Sequence, residues 1–142
     1  MKASARNRFT GTISAVRKGA VNDDVHVTLT GGAELSAVVT SESSASLGLV
    51  EGAEVVALVK APWVMLVTEA EDYRFSARNR FAGTVNSLER GAVNTTVELA
   101  VAGGLTVVSV ITNESADELD LVEGATATAL FKASQVILAV PA

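Results

Sequence analysis

The sequence repeats itself at a fixed spacing of 72 residues, and this repeat constrains the fold more than any other feature. The phrase Ser-Ala-Arg-Asn-Arg-Phe occupies residues 4–9 and returns at residues 76–81. When residues 1–70 are aligned on residues 73–142 without a gap, 32 pairs are identical. Such self-similarity indicates a tandem duplication in which each half is one complete structural unit. We therefore expect two domains, residues 1–70 and 73–142, where a chain of this length would otherwise suggest one.

The alternation of apolar and polar residues predicts that each half begins with a strand. Residues 8–16 alternate with a period of two, which places Phe9 and Ile13 on the same face. Gly11 interrupts this strand, and Gly83 interrupts its copy. Small barrels need bends or bulges to turn their corners. We therefore expect a bend or a bulge at each of these two glycines.

A hairpin is expected next. The second strand, over residues 21–30, and the third, over residues 33–40, flank the dipeptide Gly31-Gly32, a pattern typical of a tight turn. In the second strand, Val21 and Val25 are expected to face the core.

The hydrophobic period then changes, which predicts a short helix and two further strands. Thr40 or Ser41 is expected to cap the N-terminus of the helix, and Gly48 to end it. The last two strands are expected over residues 54–59 and 63–68. Five antiparallel strands with a helix between the third and fourth are the elements of an OB-like barrel. The predicted fold class is all-β, with two tandem OB-like five-stranded antiparallel barrels.

Charge and composition exclude several classes of partner. The net charge of −5 argues against a nucleic acid, whose phosphates would meet an unfavourable field. The absence of cysteine excludes disulfides and thiolate metal sites, and it fits a reducing, cytoplasmic compartment. We see neither a secretory signal nor an apolar run of membrane-spanning length, so we expect no membrane partner.

The residues available for catalysis are too few for an enzyme. His26 is the only histidine and is expected to be a solvent-facing strand residue, since its copy is Glu98. Asp23-Asp24 is expected to be ordinary turn sequence, since its copy is Thr95-Thr96. No nucleophile and base, and no cluster of metal ligands, can be assembled from this inventory. We therefore expect no catalytic residue, no protein-coordinated metal and no cofactor.

A set of polar residues recurs in both halves at the ends of the predicted elements, where no barrel core requires them. Each has a structural interpretation when taken alone: Thr40 as a helix cap, Lys60 as a solvated charge, Arg6 as a surface ion-pair partner. Together, hydroxyls, backbone amides and cations are what a small tetrahedral oxyanion requires. The set in the first half is Ser4, Arg6, Asn22, Thr40, Ser43 and Lys60.

Four of the repeated phrases carry a resemblance. Ser-Ala-Arg-Asn, Gly-Ala-Val-Asn, Val/Ile-Thr-x-Glu-Ser and Lys-Ala-Pro/Ser occur in this order in both halves. The chain thus resembles the molybdate-binding Mop-domain family, or molbindins, in its duplicated di-Mop form. The resemblance implies OB-like barrels of the Mop/TOBE type that bind molybdate, or tungstate as a near-isostere. It implies storage and homeostasis of the metal oxyanion in the cytoplasm, with the anion as ligand rather than cofactor.

The resemblance also implies where the anion is bound. In the family the anion lies between subunits, with Ser4 and Arg6 of one domain opposite residues of another. The opposing residues are Thr40, Ser43, Lys60 and Ala61. The counterparts in the second half are Ser76, Arg78, Thr112, Ser115, Lys132, Ala133 and Ser134. Asn22 and Asn94 are candidates for a second class of site near a symmetry axis.

The resemblance further implies an oligomer, because single-Mop relatives assemble six domains. A doubled chain would reach six as a homotrimer. Related domains are attached to transcription regulators and transport ATPases. This sequence contains neither a DNA-binding helix pair nor a P-loop, so we expect only the binding module.

The first half departs from the family pattern at one position. Pro62 stands where the second half has Ser134, and proline offers neither a hydroxyl nor a backbone N–H. We expect the site that uses residues 60–62 to have up to two fewer donors than its counterpart.

The sequence leaves two alternative functions open. An OB-type module that binds nucleic acid or another protein is the principal alternative. The acidic balance and the sparse aromatic residues disfavour it, since single-strand binders need stacking platforms and a basic groove. A purely structural oligomer, joined through its strand edges, is the other. Neither explains why hydroxyls and cations recur together in both halves.

Overall fold

The computed structural model describes all 142 residues as an antiparallel β-protein with two short helices. The first half contains β1 (Asn7–Arg17), β2 (Asn22–Leu29), β3 (Glu34–Thr40), α1 (Ser41–Leu47), β4 (Glu54–Val59), a 3-10 turn (Ala61–Trp63) and β5 (Met65–Val67). The second half contains β6 (Asn79–Arg90), β7 (Asn94–Val101), β8 (Leu105–Thr112), α2 (Asn113–Glu118), β9 (Thr126–Phe131), a 3-10 turn (Ala133–Gln135) and β10 (Ile137–Ala139). The predicted five strands and one helix per half are confirmed.

The two halves exchange their last strands. The strand order is β10-β4-β1-β2-β3 in one sheet and β5-β9-β6-β7-β8 in the other. Each sheet therefore combines four strands of one half with the fifth strand of the other, and the expectation that each half is a complete unit by itself is corrected. The repeat permits this exchange, because β4 and β9 are copies of each other, and β4 accepts β10 as β9 accepts β5. Pairing across the halves ties them together.

The bulge that bends the first strand lies at Ser14, not at Gly11. The pairing of β1 with β2 shifts between Ile13 and Ala15, and the pairing of β6 with β7 shifts at the equivalent place. Gly11 serves a different purpose. A Cβ atom at Gly11 would lie 2.6 Å from the carbonyl oxygen of Thr28, so glycine allows the neighbouring strand to approach.

The apolar core runs through both halves without interruption. A single cluster of 24 buried residues includes side chains from both sheets. Phe81 and Phe131 stack within it, with ring centroids 5.7 Å apart. The expectation that Val21 faces this core is wrong, because β2 begins one residue later and Val21 is 72% exposed in the preceding loop.

Two buried asparagines join the halves. The side-chain amide of Asn7 donates to the Val108 carbonyl at 2.8 Å and accepts from the Val108 N–H at 2.7 Å. Asn79 forms the same pair of bonds with Ser36, both at 2.8 Å. Val108 and Ser36 lie on β8 and β3, which are the edge strands of the two sheets. Each asparagine therefore satisfies backbone groups that a sheet edge leaves unpaired.

Both helices begin as the sequence predicts. Thr40 caps α1 and Thr112 caps α2, each accepting a hydrogen bond from the backbone N–H three residues on. Gly48 ends α1 in the left-handed conformation, with φ of 64°. Neither helix, nor any other in the structure, has the length and apolar character needed to cross a membrane.

Candidate oxyanion site

Three predicted residues lie together at the start of each helix. In the first half, Asn22 is the strand partner of Thr40 in the β2–β3 ladder. The Thr40 hydroxyl accepts from the Ser43 N–H at 3.1 Å and donates to the Ser43 hydroxyl oxygen at 2.8 Å. Because the Ser43 hydroxyl oxygen accepts this bond, its own proton is left for another acceptor. The same arrangement is formed in the second half by Asn94, Thr112 and Ser115.

The loop before Asn22 is fixed to the helix start by a buried carboxylate. Asp23 accepts from the Ser41 hydroxyl at 2.7 Å and from the Gly19 N–H at 3.3 Å. The Ser41 hydrogen bond holds the pKa of the Asp23 carboxyl below its ordinary value. Asp23 was expected to be turn sequence, and this expectation is wrong: it is a buried residue of β2.

The second half fixes the same loop without a charge. Thr95 donates to the side-chain oxygen of Asn113 at 2.7 Å, and the Asn113 amide donates to the Gly91 carbonyl at 3.1 Å. The two loops therefore have the same anchoring but differ by one negative charge.

The predicted cations lie in pairs at the other end of each sheet. Asn7 and Val59 are strand partners, so Arg6 and Lys60 are adjacent just beyond the ladder. In the second half, Asn79 pairs with Phe131, which places Arg78 beside Lys132 in the same way. All four cationic side chains belong to exposed residues.

Each cationic pair lies along an edge strand of the opposite half. The hydrogen bonds of Asn7 to Val108 hold the start of β1, next to Arg6, against β8. The 3-10 turn after Lys60 packs on β8 as well. Ser109 of β8 also donates to the Val64 carbonyl at 2.6 Å.

Two composite regions result, which we name seams. The first seam is defined as the stretch of β8 from Val108, where Arg6 and Lys60 lie, to Thr112 at its end, together with Ser115. The second seam is defined as the stretch of β3 from Ser36, where Arg78 and Lys132 lie, to Thr40 at its end, together with Ser43.

One grouping implied by the family resemblance is not formed within a single chain, and it stays a prediction for a boundary between subunits. Lys60 was expected beside Thr40 and Ser43 of its own domain. In the structure, β1 separates these groups, because Lys60 adjoins its first residue while Thr40 lies beyond its last. Within the chain, Lys60 shares a seam with Arg6.

An ion pair spans the second seam. A guanidinium nitrogen of Arg78 donates to Asp24 of β2, and the other Asp24 oxygen lies 3.4 Å from Nε2 of His26. The hydrogen bond from Arg78 is the main cause that lowers the pKa of the Asp24 carboxyl. Asp24 pairs with Val38 on β3, two residues before Thr40, which is about 7 Å along a strand. Asp24 is therefore a strand residue that faces the seam, not the turn residue expected.

The remaining predicted residues have different surroundings. Ser4, Ser76 and Ser134 are exposed, whereas Ala61 and Ala133 are buried at the start of the 3-10 turns and would offer only backbone groups. Ser76 and Lys132 line one cleft of about 280 Å³, whose walls include Trp63, Met65 and Phe75. His26 lies half-buried in β2, as a solvent-facing strand residue should.

Two sets of residues at the seams were not predicted. Asn7 and Asn79 fix each cationic end to the opposite half, and they are identical in the two copies of the Arg-Asn-Arg phrase. Asp24 was set aside because it differs from its copy, Thr96. The difference between Asp24 and Thr96, within a segment that is otherwise repeated, is the sequence signal that could have identified Asp24.

The fold and the paired donor groups define a tandem OB-like barrel protein. A TOBE domain is matched at residues 3–66 and again at residues 76–138. The chain therefore belongs to the TOBE-domain family and carries two copies of the domain. This match, together with relatives named as Mop proteins, confirms the resemblance drawn from the sequence.

Named relatives and a solved structure make the comparison specific. The chain is 46% identical over 141 residues to the molybdenum-pterin-binding protein MopA of Rhodobacter capsulatus, covering 99% of this chain and 53% of that protein. It is 45% identical over 140 residues to the molybdenum transport protein ModE of Herbaspirillum seropedicae, covering 99% and 52%. The chain spans about half the length of these curated relatives.

A crystal structure of the cytoplasmic molybdate-binding protein ModG, with molybdate bound, superposes with a TM-score of 0.96. It is 56% identical and covers 99% of this chain and 100% of that one. The superposition confirms the predicted fold class.

Proposed function

We propose that this protein binds molybdate, and tungstate as a near-isostere, for intracellular storage and homeostasis of the metal oxyanion. The observation that carries the proposal is the duplicated seam, where two cations of one half lie along the edge strand that leads to a hydroxyl-bearing helix start of the other. The similarity to ModG, which is a molybdate-binding protein, supports the same ligand. We further propose a cytoplasmic location and a binding role without catalysis, as the names of the relatives suggest.

The donor set suits a tetrahedral dianion that must leave unchanged. Arg6 and Lys60 supply charge at the first seam, which a protein of net charge −5 needs locally. Ser115 supplies a hydroxyl proton, because its oxygen already accepts from Thr112. A hydrogen bond from Ser115 to the anion is strengthened by the Thr112–Ser115 hydrogen bond, because linked hydrogen bonds polarise one another. Hydrogen bonds hold the anion without ligand exchange at the metal, so release needs no chemical step.

The other predicted residues complete the proposed site. The backbone after Lys60 and Lys132 and the exposed hydroxyls offer further neutral donors. Those groups are Ser4, Ser76, Ser134 and the amides at Ala61 and Ala133. Asn22 and Asn94, beside the Gly-Ala-Val loops, are proposed for the second class of site.

We propose that the chain assembles as a homotrimer of six domains, which would enclose the seams. Apolar residues are exposed at equivalent positions of the two halves, and Val21 and Val93 are 72% and 69% exposed. Repeated exposure of this kind marks surfaces that neighbouring subunits cover. Residues 1–70 and 73–142 are proposed as the units of duplication, and neither a nucleic acid nor a membrane is proposed as a partner.

Isothermal titration calorimetry tests the ligand. Molybdate and tungstate should bind at micromolar concentration or below, with sulfate and phosphate much weaker. Arg6→Ala should weaken molybdate binding. Arg8→Ala is the matched control, because Arg8 is an exposed residue of β1 without an ion pair. Absence of binding by molybdate and tungstate at micromolar concentration would contradict the proposal.

A further inference from the structure

We propose that Asp24 is a resident competitor for the anion at Arg78, so that the first seam fills before the second. This inference rests on the proposed function. It concerns how the two seams divide the binding, which the family resemblance does not address.

The carboxylate of Asp24 occupies the place where an anion would meet Arg78. One of its oxygens accepts from the guanidinium, and the other faces His26 at 3.4 Å. The Asp24 side chain is 19% exposed and that of Arg78 is 43% exposed, so the pair lies at the surface of the seam rather than inside the core. An anion approaching Arg78 must displace this carboxylate or bind next to it.

The first seam has no such carboxylate. Thr96 stands at the position of Asp24 and pairs with Val110, as Asp24 pairs with Val38. Arg6 forms no ion pair in the structure, whereas its copy Arg78 does. The neighbouring position differs in the same sense, with Thr95 in place of Asp23. Asp23 and Thr95 are buried, however, and bond to their own loops, so β2 brings one carboxylate, Asp24, to the second seam, where β7 brings the hydroxyl of Thr96 to the first.

A carboxylate and a dianion at close range repel each other, and displacing the carboxylate gives up its bonds to Arg78 and His26. Either course weakens binding at the second seam by on the order of tenfold or more. Pro62 acts at the opposite seam, because it follows Lys60. It removes only neutral donors, which are worth less than a charge–charge contact. The charge difference therefore sets the order of filling.

The Asp24–Arg78 bond would also be present if its only role were to join the halves. A purely structural role predicts that its removal lowers stability and leaves anion affinity unchanged. A competitor role predicts that removal raises affinity at one class of site. The two are separated by measuring both quantities on the same variants.

The test is calorimetric titration of the intact chain with molybdate, together with thermal unfolding without ligand. Wild type should show two classes of seam sites that differ by about tenfold or more in affinity. Asp24→Thr, which copies the second half, should bring the weaker class close to the stronger. Asp24→Asn repeats the measurement with a side chain of the same shape. Thr96→Asp should weaken the stronger class by a similar factor.

Glu51→Thr is the control for net charge, because Glu51 is an exposed turn residue with no ion pair. It should change neither class of site. If molybdate binds but neither Asp24 variant raises the weaker affinity beyond that control, the competitor role is overturned and the proposed function stands. If wild type and all variants fail to bind molybdate, both are overturned.

Discussion

The two halves share a backbone but differ in charge where the seams are formed. Both contain a strand bulge at the same place, at Ser14 and at Asn86, and a threonine cap at the start of each helix. Other equivalent positions differ, since Asp23-Asp24 corresponds to Thr95-Thr96 and Pro62 corresponds to Ser134. The duplication has therefore preserved the bulges, the helix caps and the proposed ligand residues, whereas side chains next to them have diverged. A protein of two like domains need not have two like sites.

The largest expected effect concerns the exchange of last strands. Residues 1–72 produced alone contain β5 but not β9, its partner in the full chain. Two copies should therefore exchange β5 reciprocally, and the fragment should sediment as a folded dimer. A folded monomer, with β5 paired to its own β4, would contradict this account of how the halves are joined.

Replacing the linking asparagines should affect the halves unequally. Asn7→Ala leaves the N–H and carbonyl of buried Val108 without partners, and we expect a loss of about 3 kcal/mol in the free energy of unfolding. Asn79→Ala exposes the same groups of Ser36, which is only half-buried and admits water, so the loss should be about 2 kcal/mol. Urea unfolding measures both values. Equal losses would mean that burial at the edge strands does not set the cost.

Lowering the pH should reduce the free energy of unfolding mainly through carboxyls of the first half. The pKa values of Asp23 and Asp24 lie below the ordinary 3.8, so their contribution to stability is present above that pH. It is lost as the pH falls through the folded-state pKa values. Asp23→Thr combined with Asp24→Thr should reduce the decline in unfolding free energy between about pH 6 and about pH 2.5. A decline as steep as that of wild type would rule out these carboxyls as its source.

The smallest effect is expected from Pro62→Ser, which gives the first half the serine of the second. The change restores a hydroxyl and an N–H at the first seam, and affinity there should rise a few-fold. Molybdate calorimetry measures the change, with Ser134→Pro as the reciprocal variant. Unchanged affinity and stoichiometry in both variants would show that this position lies outside the site.

Local signals predicted most of the secondary structure. The helix was predicted from the cap at Thr40, the acidic first turn and Gly48 at the end. These residues act on backbone groups within one or two turns. The glycine-rich turn predicted the hairpin for the same reason. The bulge at Ser14 was missed because the glycine at residue 11 is needed for close approach of a strand, which alternation alone does not reveal.

Long-range choices could not be predicted from the sequence. The alternation of β5 predicts a strand but not its partner, and β4 and β9 offer equivalent edges. The sequence predicts candidate residues for the site, which stay a prediction, but their division into seams follows from the exchange of strands. The pairing of Asp24 with Arg78, 54 residues away, depends on the same topology. Neither residue has a local feature that indicates the other.

The most direct test of the central claim is a diffraction experiment on crystals grown with molybdate, using the anomalous scattering of molybdenum. We predict strong anomalous peaks at the seams, within hydrogen-bonding range of Arg6 or Lys60, with weaker occupancy beside Arg78 at limiting molybdate. Peaks confined to surfaces remote from both seams, or equal occupancy at the two seams under limiting ligand, would contradict the account.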